Sequence, residues 1–175
     1  DTFFIGQTGE PLMVAAVSLV SPWFNLLTAL GNLFGLGGSS LISRMLGVKR
    51  EGEIRYVSSF SIWAGAVVTA CFSLSSFLAR EPLLTFLGAS VDNYGYAEDY
   101  LLWVVAVGGV PTMVSLALGH LLRSEGHARQ ASAGMMFGGI LNVILDPILI
   151  FGFHLDVAGA AIATAFSNAA SVVFF

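Results

Sequence analysis

The longest uncharged stretch of this chain constrains its fold more than any other feature. No Asp, Glu, Lys or Arg stands between Glu10 and Arg44, a run of 33 residues. A helix that crosses a bilayer needs ~20 mainly apolar residues. The run is therefore long enough to form one membrane-spanning helix.

The pattern recurs along the rest of the chain. Five hydrophobic segments lie at about residues 11–43, 56–79, 93–122, 130–153 and 157–175. The chain is 56% hydrophobic and only 10% charged, whereas soluble domains are about 25% charged. So many apolar side chains cannot all be buried inside a globule of 175 residues. We predict an all-α membrane protein, a polytopic helical bundle that forms a single transmembrane lobe over residues 1–175. The opening residues 1–5 read as the end of a preceding helix.

The connections between the segments alternate in charge. Six of the seven basic residues lie in or beside the connections after the first and third full segments, namely Arg44, Lys49, Arg50, Arg55, Arg123 and Arg129. The other connections are acidic, with Arg80 as their single cation. Basic connections stay on the cytoplasmic side of a membrane. The alternation therefore predicts which end of each segment faces the cytoplasm. The net charge of −4 and the lack of a basic patch argue against a nucleic-acid partner.

Asp146 is the strongest candidate for a functional residue. A charged Asp at the centre of a membrane helix costs about 2.5–3.5 kcal/mol, and such residues usually serve a function. Asn142 precedes it by one helical turn and shares its face. Pro147 lacks an N–H and so leaves the carbonyl of Val143 without its helical partner. These groups predict a site for a proton or another ion. The alternative is a protonated Asp146 that serves only as a hydrogen bond between helices.

The sequence gives little indication of a catalytic site, a disulfide or a structural metal site. No catalytic motif accompanies Asp146, and the single Cys71 provides neither a disulfide nor a cysteine metal site. We expect no cofactor, no catalytic residue and no metal beyond possible Na⁺ at Asp146. Thr164 is a supporting polar residue of the last segment, although Asn142 and Thr164 could equally be contacts that hold helices together.

A polar stripe runs along the first segment. Asn25, Thr28 and Asn32 recur at spacings of three and four, which places them on one helix face. This face either packs against other helices or lines a cavity. We therefore hold the three residues as candidates for a substrate path. His120 reads more readily as an interfacial residue than as a ligand.

Several motifs resemble those of the multidrug and toxic compound extrusion (MATE) transporters. The resemblance spans the whole chain, in the family's order, and rests on residues 1–6, 39–47, 123–126, 139–147 and 157–164. Its most specific part is the pair Asn-x-x-x-Asp-Pro, at Asn142–Pro147, and Gly-Ala-Ala-x-Ala-Thr, at Gly159–Thr164. One departure is that Gly119 and His120 stand where many relatives have two asparagines.

The resemblance implies a fold and an activity. The five segments would be helices two to six of a twelve-helix transporter with two lobes. Such a transporter exchanges H⁺ or Na⁺ for organic, often cationic, drugs by alternating access. The coupling residues implied by motif are Asp1, Asn142, Asp146 and Thr164. The expected partners are membrane lipid, a small organic substrate and a C-terminal lobe missing from this chain, in the inner membrane of the cell.

Two other functions remain open at this point. A flippase for lipid-linked oligosaccharides has a related fold, but it would usually present a cationic cavity, and here no Lys or Arg lies within a segment. An intramembrane enzyme is the remote alternative. It would need a second acid facing Asp146 at membrane depth, and only Asp1 could serve.

Overall fold

The computed structural model describes residues 2–175, apart from the side chains of Thr2 and Glu51, and all regular structure in that range is helical. The helices are α1 (Thr2–Gln7), α2 (Pro11–Gly47), α3 (Ile54–Leu78), α4 (Arg80–Leu87), α5 (Tyr94–Leu101), α6 (Gly109–Ser124), α7 (Ala128–Pro147) and α8 (Asp156–Phe174). A short 3₁₀ turn, Glu51–Glu53, precedes α3, and wider π-helical turns extend α5 through Leu102–Val107 and α7 through Ile148–Gly152.

Four of these helices are long and apolar enough to cross a membrane by themselves. They are α2, α3, α7 with its π-helical extension, and α8. Tyr94–Val107 and Gly109–Ser124 meet at a bend of 49° and make a fifth crossing if they are counted as one span. The predicted fold class, an all-α membrane bundle of about five crossings, is confirmed.

The bend before α6 follows from its sequence. Pro111 has no N–H, so the carbonyl of Val107 loses its usual helical partner. Loosened hydrogen bonding of this kind is a common cause of sharp kinks. The hydroxyl of Ser73 in α3 donates to the carbonyl of Val105 at 2.7 Å. Gly109 carries no side chain, and a Cβ there would collide with the Ser73 hydroxyl. The small residue thus allows α3 to satisfy a backbone group at the bend.

The widened turn at the end of α7 has a similar cause. The π-helical turns begin at Ile148, directly after Pro147, and the amide of Phe153 bonds the Ile148 carbonyl at 3.1 Å, five residues back. Helix α8 packs closely against this turn. A Cβ at Gly159 would lie only 2.9 Å from the carbonyl carbon of Leu149. Glycine at this position therefore brings the two backbones together.

Glycines also form the contact between α2 and α6, which lies at the centre of the bundle. Gly31, Gly35 and Gly38 are buried on one face of α2. A Cβ at Gly35 would lie 3.0 Å from the Cα of Ala117 and 2.9 Å from the His120 ring. Small residues at such spacings let membrane helices approach closely. Helix α6 continues the bundle by packing against α3, α7 and α8 as well.

The two ends of the bundle differ in charge, as the alternating connections predict. Ser58, near the start of α3, donates to Glu125 in the connection after α6 at 3.2 Å. This bond places both basic connections at the same end. Arg80, the single cation of the acidic connections, forms a 2.6 Å ion pair with Glu98. The sequence pattern did not predict the short helix α4, which lies in this part of the chain and ends at Gly88 with a φ of 96°.

The close contact between α2 and α6 can be tested by its effect on the stability of the protein. We expect Gly35→Val to destabilise the full-length protein by about 1–3 kcal/mol, because overpacking a tight contact costs that much. Gly37→Val is the matched control, because a Cβ at Gly37 meets nothing within 4 Å. Thermal unfolding in detergent measures both. Equal melting temperatures for the two variants would contradict the claim that Gly35 is needed for the close contact between α2 and α6.

Candidate functional site

Asp146 lies near the C-terminal end of α7 and is buried, with only 1% of its surface exposed. No other charged side chain among the described residues is buried to this degree. It is the eighteenth residue after Ala128, where α7 begins, which is roughly 27 Å along an α-helix. Asp146 therefore lies in the half of the span that we predict to be the outer one.

Asn142 connects Asp146 to α8. Its side-chain amide donates to the carboxylate of Asp146 at 3.4 Å and to the hydroxyl of Thr164 at 3.3 Å. An amide nitrogen carries two hydrogens, so one Asn can serve both acceptors. Both distances lie beyond the usual 2.7–3.2 Å range for such bonds. Three residues that the sequence singled out thus meet at one place, where α7 packs against α8.

A cavity of about 250 Å³ lies beside this group, between α7 and α8. Its polar lining includes Asn142, Thr164, Ser167 and Asn168. One water occupies about 30 Å³ in the liquid, so the space can hold several waters or a small cation with its hydration. Because Asn142 both lines the cavity and bonds Asp146, it links the buried carboxylate to this space.

Asn168 extends the polar group toward α6, and the sequence did not single it out as a site residue. Its amide donates to the hydroxyl of Thr112 at 2.9 Å, and Thr112 is only 4% exposed. Asn168 lies four residues after Thr164, on the same face of α8, and this spacing was visible in the sequence. The identity of its partner, 56 residues away on another helix, was not.

The three residues of the predicted polar stripe on α2 have different surroundings in the structure. Asn25 is exposed on the described lobe, and Thr28 donates to the carbonyl of Asn25 within its own helix at 2.9 Å. Asn32 instead lies 3.2 Å from the ring nitrogen of His120 on α6. His120 therefore joins two helices, which sequence reasoning had not anticipated. A role for Asn25, Thr28 and Asn32 in a substrate path remains a prediction.

Asp1, the second acid implied by the resemblance, lies outside the described residues. Its proximity to Asp146 remains a prediction.

Comparison with known proteins assigns the family. The MatE family model matches residues 1–148, most of the chain. The chain belongs to the MatE family. It is 40% identical over all of its 175 residues to the multidrug export protein MepA of Staphylococcus saprophyticus, of which it covers 39%. The chain thus spans about two fifths of the length of this MatE relative.

Solved structures of MatE transporters have the same fold. An outward-facing multidrug resistance MATE family transporter of the MOP superfamily superposes with a TM-score of 0.93 at 28% identity, over 99% of this chain and 38% of that protein. An inward-facing structure superposes with a TM-score of 0.87 at 31% identity, over 94% of this chain and 37% of that protein.

Membership of the MatE family confirms the resemblance read from the motifs. MatE proteins are transporters, so the prediction that this chain is not an enzyme is confirmed and the intramembrane-enzyme alternative is excluded. The membrane-spanning helices together with the family establish a multi-pass membrane protein.

A double-mutant cycle can test whether the hydrogen bond between Asn168 and Thr112 stabilises the protein. We expect Asn168→Leu and Thr112→Val to destabilise the full-length protein non-additively, with a coupling energy of about 0.6 kcal/mol and at most ~1.7 kcal/mol, as for other polar contacts between membrane helices. The double-mutant cycle is measured by unfolding in detergent. Asn25→Leu, which changes an exposed amide, paired with Thr112→Val serves as the control and should show no coupling. Additive effects of Asn168→Leu and Thr112→Val would contradict an energetic link between α8 and α6.

Proposed function

We propose that this chain is the N-terminal lobe of a cation-coupled multidrug exporter. The full transporter exchanges H⁺ or Na⁺ for organic, often cationic, compounds by alternating access. Asp146 carries the coupling charge, Asn142 and Thr164 orient it, and Asp1 supplies a second acid. The multidrug export named for the MepA relative supports the substrate class.

The burial of Asp146 against Asn142 is the observation that carries this proposal. A carboxylate at this depth is costly unless it binds a proton or a cation or pairs with a cationic group. The amide of Asn142 bonds the acid and also reaches the Thr164 hydroxyl, so neutral oxygen groups that could help to hold Na⁺ or a water-borne proton lie close to the carboxylate.

Binding of H⁺ or Na⁺ changes the charge of the site, and this change couples ion movement to export of the organic compound. A cation on Asp146 neutralises the carboxylate, whereas the empty site holds a negative charge that attracts an organic cation. A ligand can shift a conformational equilibrium only by its difference in affinity between the two states. The exchange works if the inward-open and outward-open forms bind the coupling ion with different affinities.

Alternating access by rigid lobes is supported by the superpositions. The described helices match an outward-facing MatE transporter and an inward-facing one, both with TM-scores of at least 0.87. A lobe that keeps its fold in both states moves mainly as a body. We propose that the cavity beside Asn142 changes its exposure as this lobe moves against a C-terminal lobe in the inner membrane of the cell.

A flippase for lipid-linked oligosaccharides is the second candidate function. Binding a pyrophosphate favours a cationic cavity, because charge-assisted bonds from Arg and Lys hold phosphate best. The cavity between α7 and α8 is lined instead by Asn, Thr, Ser, Gly and Met, and an acid lies behind it. This polarity favours cationic substrates.

Removing the charge of Asp146 tests the proposal. We expect Asp146→Asn in the full-length protein to reduce export of a cationic dye from cells by a factor on the order of 10, the typical size of coupling between two sites. Asp92→Asn, in an exposed outer connection, is the matched control and should export normally. Undiminished export by Asp146→Asn that still depends on pH or Na⁺ would rule out this assignment of the coupling residue.

Thr164 offers a second test with a conservative control. We expect Thr164→Val to raise the H⁺ or Na⁺ concentration for half-maximal transport on the order of tenfold, because the Asn142 amide that bonds Asp146 loses its second acceptor. Thr164→Ser keeps the hydroxyl and should behave as the unmodified protein. Transport in proteoliposomes under a pH or Na⁺ gradient measures both. If Thr164→Val and Thr164→Ser respond identically, the hydroxyl does not contribute.

A further inference from the structure

A second cavity lies at the basic end of the bundle, on α3 and away from Asp146. It has a volume of about 540 Å³ and lies among the end of α2, the start of α3 and the connection between α6 and α7. Polar and charged side chains line one part of it, including Arg55, Ser58, Glu125 and His127. Leu46 and Ile62 contribute apolar surface. The cavity thus combines fixed charges with an apolar wall.

Arg55 and Glu125 line this cavity without pairing. The ion pairs among the described side chains are Arg50–Glu53 and Arg80–Glu98. Glu125 is held instead by the hydroxyl of Ser58 at 3.2 Å, and Arg55 is exposed. Opposite charges in one cavity that do not join each other suit a ligand that carries both signs.

The position of the cavity indicates where that ligand comes from. Tyr56, in the first turn of α3, and Trp63, about two turns further along, are 75% and 72% exposed. Tyr and Trp concentrate at the level of the lipid headgroups. The adjacent Phe60 is 69% exposed, as expected for a helix face in contact with lipid. The charged cavity therefore opens beside a face suited to lipid, at the depth of the headgroups.

We propose that this cavity binds phosphatidylethanolamine from the cytoplasmic leaflet, with the lipid phosphate on Arg55 and its ammonium on Glu125. An ammonium group donates N–H bonds to a carboxylate, and such charge-assisted bonds are the strong ones. Phosphatidylcholine carries the same charges but has no N–H to donate. Phosphatidylglycerol has no cation for Glu125. Leu46 and Ile62 face the apolar part of the lipid. This site does not involve Asp146 and does not depend on the proposed transport mechanism.

Lipid competition on the purified full-length protein tests the site. The protein is incubated in detergent with equal amounts of phosphatidylethanolamine and phosphatidylcholine of the same acyl chains, and native mass spectrometry measures the lipid that it retains. We expect phosphatidylethanolamine to be preferred about fivefold, the effect of one favourable charge contact at a membrane surface.

Two variants separate the two contacts. Glu125→Gln keeps an oxygen that can accept from Ser58 and should abolish the preference without lowering the retention of phosphatidylcholine. Arg55→Gln should lower the retention of both lipids, because both carry the phosphate. Glu53→Gln and Arg50→Gln make the same changes in the neighbouring ion pair outside the cavity and should leave both quantities unchanged.

Three results would overturn the proposal. They are equal retention of the two lipids by the unmodified protein, a preference that survives Glu125→Gln, and an equal loss of preference in Glu53→Gln. Displacement of phosphatidylethanolamine by an equal amount of phosphatidylglycerol would also overturn it, in favour of a general attraction to anionic lipid.

Discussion

The hydrocarbon of a bilayer offers no hydrogen-bond partners, and this constraint determines which faces of these helices meet. Each polar group within a span must find its partner inside the protein. Ser73 satisfies a backbone carbonyl where α5 and α6 bend, and Asn168 bonds Thr112 between α8 and α6. The side-chain amide of Asn142 donates to two acceptors, Asp146 on its own helix and Thr164 on α8. These polar residues therefore lie along the contacts between helices.

Close approach of the helices makes these short polar contacts possible. Gly35 brings α2 against α6, where His120 reaches Asn32. Gly138 has a comparable position on α7, where a Cβ would collide with the hydroxyl of Ser171 on α8. Ser171 in turn donates to the carbonyl of Gly134 at 3.2 Å. Glycine and serine on facing helices thus place α7 and α8 close enough for Asn142 to reach Thr164.

The sequence was sufficient to predict the features that depend on local pattern. Uncharged runs predicted the membrane bundle, and the spacing of four placed Asn142 and Asp146 on one face. Pairings between distant helices could not be predicted this way, because periodicity assigns a residue to a face and does not say which helix that face meets. The bonds from Asn168 to Thr112 and from His120 to Asn32 are of this kind, and they span 56 and 88 residues. Helix α4 was missed because it is only 8 residues long and begins with two charged residues, so it read as part of a connection.

Cation release on substrate binding tests the central claim most directly. Purified full-length protein in weakly buffered detergent solution is mixed with an organic cation that it transports, and the H⁺ or Na⁺ set free is recorded with an indicator. If Asp146 exchanges its coupling ion for substrate, the unmodified protein releases that ion and Asp146→Asn does not. Equal release from both proteins would contradict the account, because the coupling charge would then lie elsewhere.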